Sequence, residues 1–95
     1  MDNFWRGRRT LITGAGGFIG ANLAAHLVQV GATVTGLNVV NESPCLRVLD
    51  VSIPVWATDV RDAAQMRSVI GHLVPEVVFH LAGSSHIAAS QARPL

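Results

Sequence analysis

Two side-chain types are missing from this chain: its 95 residues include no tyrosine and no lysine. Both groups are common in enzymes that move protons, because a phenol or an amine can be tuned to exchange a proton during the reaction. Neither is available here. The sequence therefore indicates binding more readily than catalysis, and we assign no catalytic residue.

Cysteine is nearly absent as well. The single Cys45 cannot form an internal disulfide, which favours a reducing compartment. No apolar run approaches the ~18 residues of a membrane span, and the first residues lack the apolar core of a signal peptide. We therefore expect a cytoplasmic protein without a membrane contact.

Charge is sparse. Charged residues make up 14% of the chain, hydrophobic residues make up 49%, and the formal net charge is +1. Because the basic residues are scattered arginines, we do not expect nucleic acid as a partner. His, Cys, Asp and Glu show no metal-ligand spacing, so no metal site is expected. The oligomeric state stays open.

The apolar pattern predicts strands and helices in alternation. Strands are predicted over 9–13, 32–37, 55–58 and 77–82. A helix is predicted over 17–30, with Ile19, Leu23 and Leu27 on its inner face, and a turn or short helix over 46–49. A further helix begins at Asp62, which with Gln65 resembles a capping box, and Pro75 ends it. Partly helical structure is expected from residue 84 to 94.

The predicted strands are apolar throughout instead of alternating, which is typical of a parallel sheet covered by helices on both faces. We predict one doubly wound α/β domain over residues 1–95. Sheets of this class usually continue beyond four strands, so we expect an incomplete domain.

Three glycines, Gly14, Gly17 and Gly20, lie between the first strand and the first helix, with Gly16 as an additional one. Glycine lets a phosphate approach the backbone, and the free amides and dipole of a helix N-terminus favour its negative charge. The spacing G-x-G-x-x-G fails at Ile19, and a phosphate loop ending in Gly-Lys fails because lysine is absent. The position of the glycines between a strand and a helix still predicts a dinucleotide site in a Rossmann-type fold. The alternative is a tight turn whose only role is packing.

Four motifs resemble one family. Thr13-Gly-Ala-Gly-Gly-Phe-Ile-Gly20 resembles the T-G-x-x-G-[FY]-[IL]-G motif of the extended short-chain dehydrogenase/reductase family, which includes nucleoside-diphosphate-sugar epimerases and dehydratases. The segments Thr58-Asp-Val-Arg-Asp62, Val78-Phe-His-Leu-Ala-Gly83 and Ser85-His-Ile87 resemble later family motifs in the same order. The resemblance covers the chain but only roughly the first third of a family enzyme.

The resemblance implies a role for each matching residue. Gly14 would make a tight turn, Gly17 would allow close phosphate approach, and Gly20 would allow helix–sheet contact. The backbone amides of Phe18 and Ile19 would meet the pyrophosphate. The other implied cofactor contacts are Asp59 at the adenine amino group, Val60 beside it, Leu81, Ala82 and Gly83 along the ribose and pyrophosphate, and Ser85. Asp59 could instead only form a turn, and Ser85 could instead cap a helix.

Asn38 departs from the family pattern. NAD-preferring members usually have Asp at the end of the second strand, where the carboxylate accepts from the ribose hydroxyls. Asn keeps one acceptor and loses the charge, while no adjacent arginine is present to favour NADP. The choice between NAD and NADP stays open, with a slight preference for NAD. His80, inside the last predicted strand, is expected to be a hydrogen-bonded structural residue.

The family chemistry uses a Tyr-x-x-x-Lys pair, which this chain cannot supply. We therefore expect the NAD(P)-binding portion of a nucleoside-diphosphate-sugar epimerase or dehydratase, inactive alone, with a sugar nucleotide bound only in a complete enzyme. Two alternatives stay open. One is a stand-alone dinucleotide-binding or interaction module, and the other is an inactive remnant.

Overall fold

A computed structural model of the chain describes residues 4–39 and 43–81, in which strands and helices alternate. The elements in chain order are β1 (Arg9–Thr13), α1 (Phe18–Gln29), β2 (Thr33–Asn38), α2 (Pro44–Val48), β3 (Val55–Ala57), α3 (Ala63–Leu73) and β4 (Val77–His80). No helix within these two ranges combines the length and the apolar character needed to cross a membrane.

The strands form one parallel sheet in the order β3-β2-β1-β4. Thr13, the last residue of β1, pairs with Leu37 on one side and with His80 on the other. The chain therefore builds outward from β1 to β3 and then crosses back to place β4 on the opposite side of β1. The carboxyl ends of all four strands lie on one edge, and such a reversal is where open α/β sheets bind ligands.

Two hydrophobic layers lie on opposite faces of the sheet, because neighbouring strand residues point in opposite directions. Leu11 and Ile12 are both essentially inaccessible to solvent, but they belong to different layers. The layer under α1 and α2 contains Ile12, Ala15, Ala21, Ala24, Leu27, Val34 and Leu46. The layer under α3 contains Leu11, Leu37 and Val69. The predicted doubly wound architecture is confirmed.

Several predicted boundaries were wrong by one or two residues. β2 runs one residue later than predicted, because the Ala32 N–H donates to the Leu27 carbonyl at 3.0 Å and so belongs to the turn after α1. β3 ends at Ala57 and β4 at His80. Gly17 and Val30 cap α1 instead of forming its first and last turns. The predicted strand residue Ala82 and the predicted helical stretch 84–94 lie outside the described residues.

The inner face of α1 was predicted incorrectly at one position. Ile19 is 60% exposed, whereas the residues facing the sheet are Gly20, Ala21, Ala24 and Leu27. Small side chains let the helix axis approach the strands, so the packed face of α1 is the one with the smallest residues. The prediction for Ile19 was wrong because it relied on the large apolar residues alone.

The start of α3 follows the predicted capping box in part. The Asp62 carboxylate accepts from the backbone N–H of Ala64 at 3.0 Å and of Gln65 at 3.2 Å. In a capping box the Gln65 side chain would accept from the backbone N–H of the cap residue, Asp62. Here Gln65 Oε1 accepts instead from the Asp59 N–H, at 3.2 Å. The helix ends at Leu73, two residues before Pro75. Val69 is its fully buried residue.

Candidate functional site

The loop between β1 and α1 is anchored to the end of β2. The backbone N–H groups of Gly14 and Ala15 both donate to the Leu37 carbonyl, at 2.8 and 3.1 Å. Gly14 has a φ of 73°, in the left-handed region that glycine adopts without strain. Its carbonyl accepts from the Gly17 N–H at 3.2 Å. Gly14 therefore occupies the tight turn that leads from the strand into the helix.

Two further glycines, Gly16 in the loop and Gly20 in the first turn of α1, lie close to other atoms of the protein. A Cβ atom on Gly20 would overlap the Gly14 carbonyl oxygen and lie 2.9 Å from the Ala15 Cα, and both are backbone atoms. A Cβ atom on Gly16 would overlap the side-chain amide of Asn38 and lie 2.7 Å from its Cγ, but this side chain can rotate away. Packing alone therefore requires the glycine at 20, without any ligand.

Gly17 is different, because nothing in the fold requires glycine there. Its φ of −77° and ψ of 173° are open to any residue, and the nearest atom to an added Cβ would be the Gly14 carbonyl oxygen at 3.6 Å. The residue is exposed to solvent. Open space therefore lies beside Gly17, where neither packing nor backbone conformation requires a glycine.

This open space lies at the N-terminus of α1. The first helical hydrogen bond runs from the Ala21 N–H to the Gly17 carbonyl at 2.9 Å, and the amides of Phe18, Ile19 and Gly20 have no acceptor within residues 4–39 and 43–81. No side chain caps this end, and no acidic residue lies in the first turn. Unpaired amides and the positive end of the helix dipole together favour an anion.

The end of β3 supplies a carboxylate to the same edge of the sheet. The Thr58 N–H donates to the Asn38 carbonyl at 2.8 Å, which holds the segment of Asp59 and Val60 next to the end of β2. Arg61 binds the Asp59 carboxylate, with Nε 3.0 Å from Oδ1 and Nη2 3.0 Å from Oδ2. The hydrogen bonds from the Arg61 side chain and backbone lower the pKa of Asp59, so this carboxyl is ionised at neutral pH.

The end of β4 is tied to β1 through Thr13, whose side chain is fully buried. The Leu81 N–H donates both to the Thr13 carbonyl at 3.1 Å and to its Oγ1 at 3.0 Å. Thr13 Oγ1 also lies 2.9 Å from His80 Nδ1. His80 is therefore hydrogen-bonded within β4, as predicted, and its side chain is half-buried. The predicted contacts Ala82, Gly83 and Ser85 lie outside the described residues.

Ser43 supports the glycine loop, and the sequence did not predict this role. Its Oγ donates to the Gly16 carbonyl at 2.9 Å and accepts from the Leu46 N–H at 3.1 Å, so it caps α2 and braces the glycine loop. A serine followed by Pro44 is a recognisable helix-start signal. The contact with Gly16, however, is 27 residues away in sequence. Cys45 lies in α2.

The predicted contacts that the structure describes lie at the carboxyl edge of the sheet. Along this edge are Asp59 and Val60 after β3, Asn38 at the end of β2, the loop of Gly14 and Gly17 with Phe18, Ile19 and Gly20 after β1, and Leu81 after β4. The N-terminus of α1, with its unpaired amides, therefore lies between the Asp59 carboxylate and the topological reversal at β4.

The model of the NAD-dependent epimerase/dehydratase family matches residues 10–95. The chain belongs to this family. The resemblance of its motifs to extended short-chain dehydrogenase/reductases is thereby confirmed. Four matching segments in the right order had predicted it, although each is short.

Two curated relatives match this epimerase/dehydratase family member along most of its length. The CDP-glucose 4,6-dehydratase of Salmonella typhimurium is 33% identical over an alignment of 98 positions. The alignment covers 98% of this chain and 27% of that enzyme. The UDP-glucose 4-epimerase of Neisseria gonorrhoeae is 38% identical over 90 residues, covering 88% of this chain and 27% of the relative. The chain thus spans about a quarter of the length of the curated relatives it matches.

Solved structures share the fold. The UDP-glucose 4-epimerase from Bifidobacterium longum, in complex with NAD+ and UDP, superposes with a TM-score of 0.68 and 27% identity over 87% of this chain and 27% of its own. Epimerase Mth375 from Methanothermobacter thermautotrophicus has the same TM-score and 28% identity, covering 84% of this chain and 24% of its own. The predicted Rossmann-type class is confirmed.

Proposed function

We propose that this family member binds NAD along the carboxyl edge of its sheet and supplies the dinucleotide-binding part of a nucleotide-sugar epimerase or dehydratase. The pyrophosphate would lie at the N-terminus of α1, against the amides of Phe18 and Ile19. The adenosine would lie toward the ends of β2 and β3. The nicotinamide half would extend past β4, along Leu81 and the predicted contacts Ala82, Gly83 and Ser85.

The observation that carries this proposal is Gly17. The glycine at 20 is explained by the backbone of Gly14 and Ala15, but the one at 17 faces open space. A backbone without a side chain at a helix N-terminus is what close approach of a phosphate requires. The residues present therefore fit the diphosphate of a dinucleotide.

The adenosine half would be held by polar groups at the ends of β2 and β3. Asn38 offers a side-chain carbonyl to a ribose hydroxyl, and its amide is already positioned beside Gly16. Asp59 offers an ionised carboxylate to the adenine amino group, with the Val60 backbone beside it. We propose NAD as the cofactor, because the family is NAD-dependent and no cation adjoins Asn38 in sequence to pair with a 2′-phosphate.

When bound, NAD supplies a nicotinamide ring that accepts a hydride. With neither tyrosine nor lysine among its 95 residues, the chain contributes binding and orientation, and we propose that it does not transfer protons by itself. The relatives are named for UDP-glucose and CDP-glucose, so we propose a nucleoside-diphosphate sugar as the substrate class of the enzyme to which this chain corresponds.

The variant Gly17→Ser separates cofactor binding from folding. Serine is a strong N-cap in the extended conformation of residue 17, and its Oγ would accept from the Ile19 or Gly20 amide. The same oxygen would occupy the space and the donors that the pyrophosphate needs. We expect unchanged or higher thermal stability, together with an NAD dissociation constant raised by about tenfold or more, since charged hydrogen bonds are lost.

Titration calorimetry with NAD measures the affinity, and thermal unfolding without cofactor measures the stability. Gly71→Ala is the matched control, because residue 71 lies in α3 and an added Cβ there meets nothing within 4 Å. It should leave NAD affinity unchanged. If Gly17→Ser binds NAD as tightly as the wild type, the proposed position of the pyrophosphate is wrong.

A further inference from the structure

Asp59 is held in place at three points. Its carbonyl accepts from the Asp62 N–H at 2.9 Å, and its N–H donates to Gln65 Oε1 at 3.2 Å. Its carboxylate is bound by Arg61 through both side-chain oxygens. The backbone contacts fix the position of the residue, whereas among residues 4–39 and 43–81 only Arg61 fixes the rotation of the carboxylate about its last bond.

The two carboxylate oxygens are not equally occupied. Oδ1 accepts from the Arg61 backbone N–H at 2.9 Å and from Arg61 Nε at 3.0 Å. Within the described part of the chain, Oδ2 accepts only from Arg61 Nη2, at 3.0 Å. Because each carboxylate oxygen has about two lone-pair positions, the arginine fills Oδ1 and leaves one acceptor position on Oδ2. The carboxylate is thereby prepared for one further donor.

The contribution of this pair to stability is small. Arg61 is 87% exposed and lies two residues from Asp59, and exposed ion pairs of this kind contribute little to folding. The two-point geometry is nevertheless the one that an arginine supplies and a lysine cannot. Orientation of the carboxylate, and not stability, is therefore what the pair provides.

We propose that Arg61 is a positioning residue for base recognition: it turns Asp59 Oδ2 toward the adenine amino group and so sets the preference for adenine over a base with a carbonyl oxygen at the same place. This inference rests on the proposed NAD site. Arg61 does not contact the base in this arrangement. It acts by holding the acceptor in one orientation before the cofactor arrives, so binding does not have to order it.

The test compares NAD with nicotinamide hypoxanthine dinucleotide, in which a carbonyl oxygen replaces the adenine amino group. The readout is the ratio of the two dissociation constants for the 95-residue chain. An oriented carboxylate attracts the amino group and repels the carbonyl oxygen, so the wild type should prefer NAD by about tenfold. Arg61→Met should reduce that preference by about threefold or more.

The ratio separates orientation from other effects of the arginine. Loss of a positive charge near the diphosphate, or a loosened fold, weakens both dinucleotides alike and leaves the ratio unchanged. Arg67→Met is the matched control, because Arg67 is an exposed arginine on α3 whose loss removes the same charge. Its ratio should equal that of the wild type. In an Asp59→Asn background, Arg61→Met should change the ratio no further.

Two results would overturn the inference while leaving the NAD site intact: an unchanged ratio in Arg61→Met, or an effect of Arg61→Met that persists undiminished in the Asp59→Asn background. A wild-type chain that binds neither dinucleotide would instead overturn the proposed function, and the role of Arg61 with it. The three patterns are distinguishable in one set of titrations.

Discussion

Replacing Gly20 by alanine tests how closely α1 approaches β1. The added Cβ would overlap the Gly14 carbonyl oxygen and lie 2.9 Å from the Ala15 Cα and 3.0 Å from the Gly14 carbonyl carbon. All three are backbone atoms in a loop held by two bonds to Leu37, so none can move without breaking a contact. Overpacking of this kind costs about 1–3 kcal/mol.

Helix propensity acts in the opposite direction. Alanine is about 1 kcal/mol more favourable than glycine in a helix interior, so part of the steric cost at residue 20 is offset. With this gain subtracted from the steric cost, we expect Gly20→Ala to lower the free energy of unfolding by up to about 2 kcal/mol. For a domain of this size Tm falls by about 4–8 °C for each kcal/mol lost.

The matched control is again Gly71→Ala in α3, where an added Cβ meets nothing within 4 Å. Only the propensity gain remains there, and we expect a stabilisation of about 0.5–1 kcal/mol. Urea unfolding followed by far-UV circular dichroism measures both variants. If Gly20→Ala is as stable as Gly71→Ala, the close approach of helix and loop is wrong.

Two further predictions concern the loop brace and the pH dependence. Ser43→Ala removes the bond to the Gly16 carbonyl and the cap on Leu46, and should cost about 1–2 kcal/mol in urea unfolding, whereas Ser43→Thr keeps the hydroxyl and should cost less. Equal losses in both variants would contradict a role for the hydroxyl. The hydrogen bond from the Arg9 N–H, together with the nearby Arg9 and Arg8 guanidinium groups, lowers the pKa of Glu76. A carboxyl with a lowered folded-state pKa stabilises the fold above its ordinary pKa of about 4.3, and that contribution is lost as the pH falls below this value and through the lowered folded-state pKa. The urea midpoint of Glu76→Gln should therefore lie below that of the wild type at pH 7 and fall less between pH 7 and pH 3; identical pH profiles would refute the assignment.

The amino-acid sequence by itself determined the class of fold and the place of the site. Apolar strands alternating with amphipathic helices specify a parallel sheet, because each strand must be covered on both faces. The glycines after β1 indicated the turn that we propose binds the phosphate, because this inference needs only a local sequence of strand, loop and helix. The sequence also predicted Asp62 as the N-cap of α3, because a helix cap is likewise a local pattern. All of these are short-range relationships.

Tertiary structure decided the rest, because the remaining relationships join residues that are distant in sequence. It separated Gly20, where the packing requires a glycine, from Gly17, where the packing does not. It turned Ile19 outward because the small residues of α1 lie against the sheet. It also brought Ser43 to the glycine loop and oriented Asp59 between Arg61 and Gln65. Sequence patterns report which residues are apolar or flexible, but only the packed chain determines which backbone atoms are left with free space and unpaired donors.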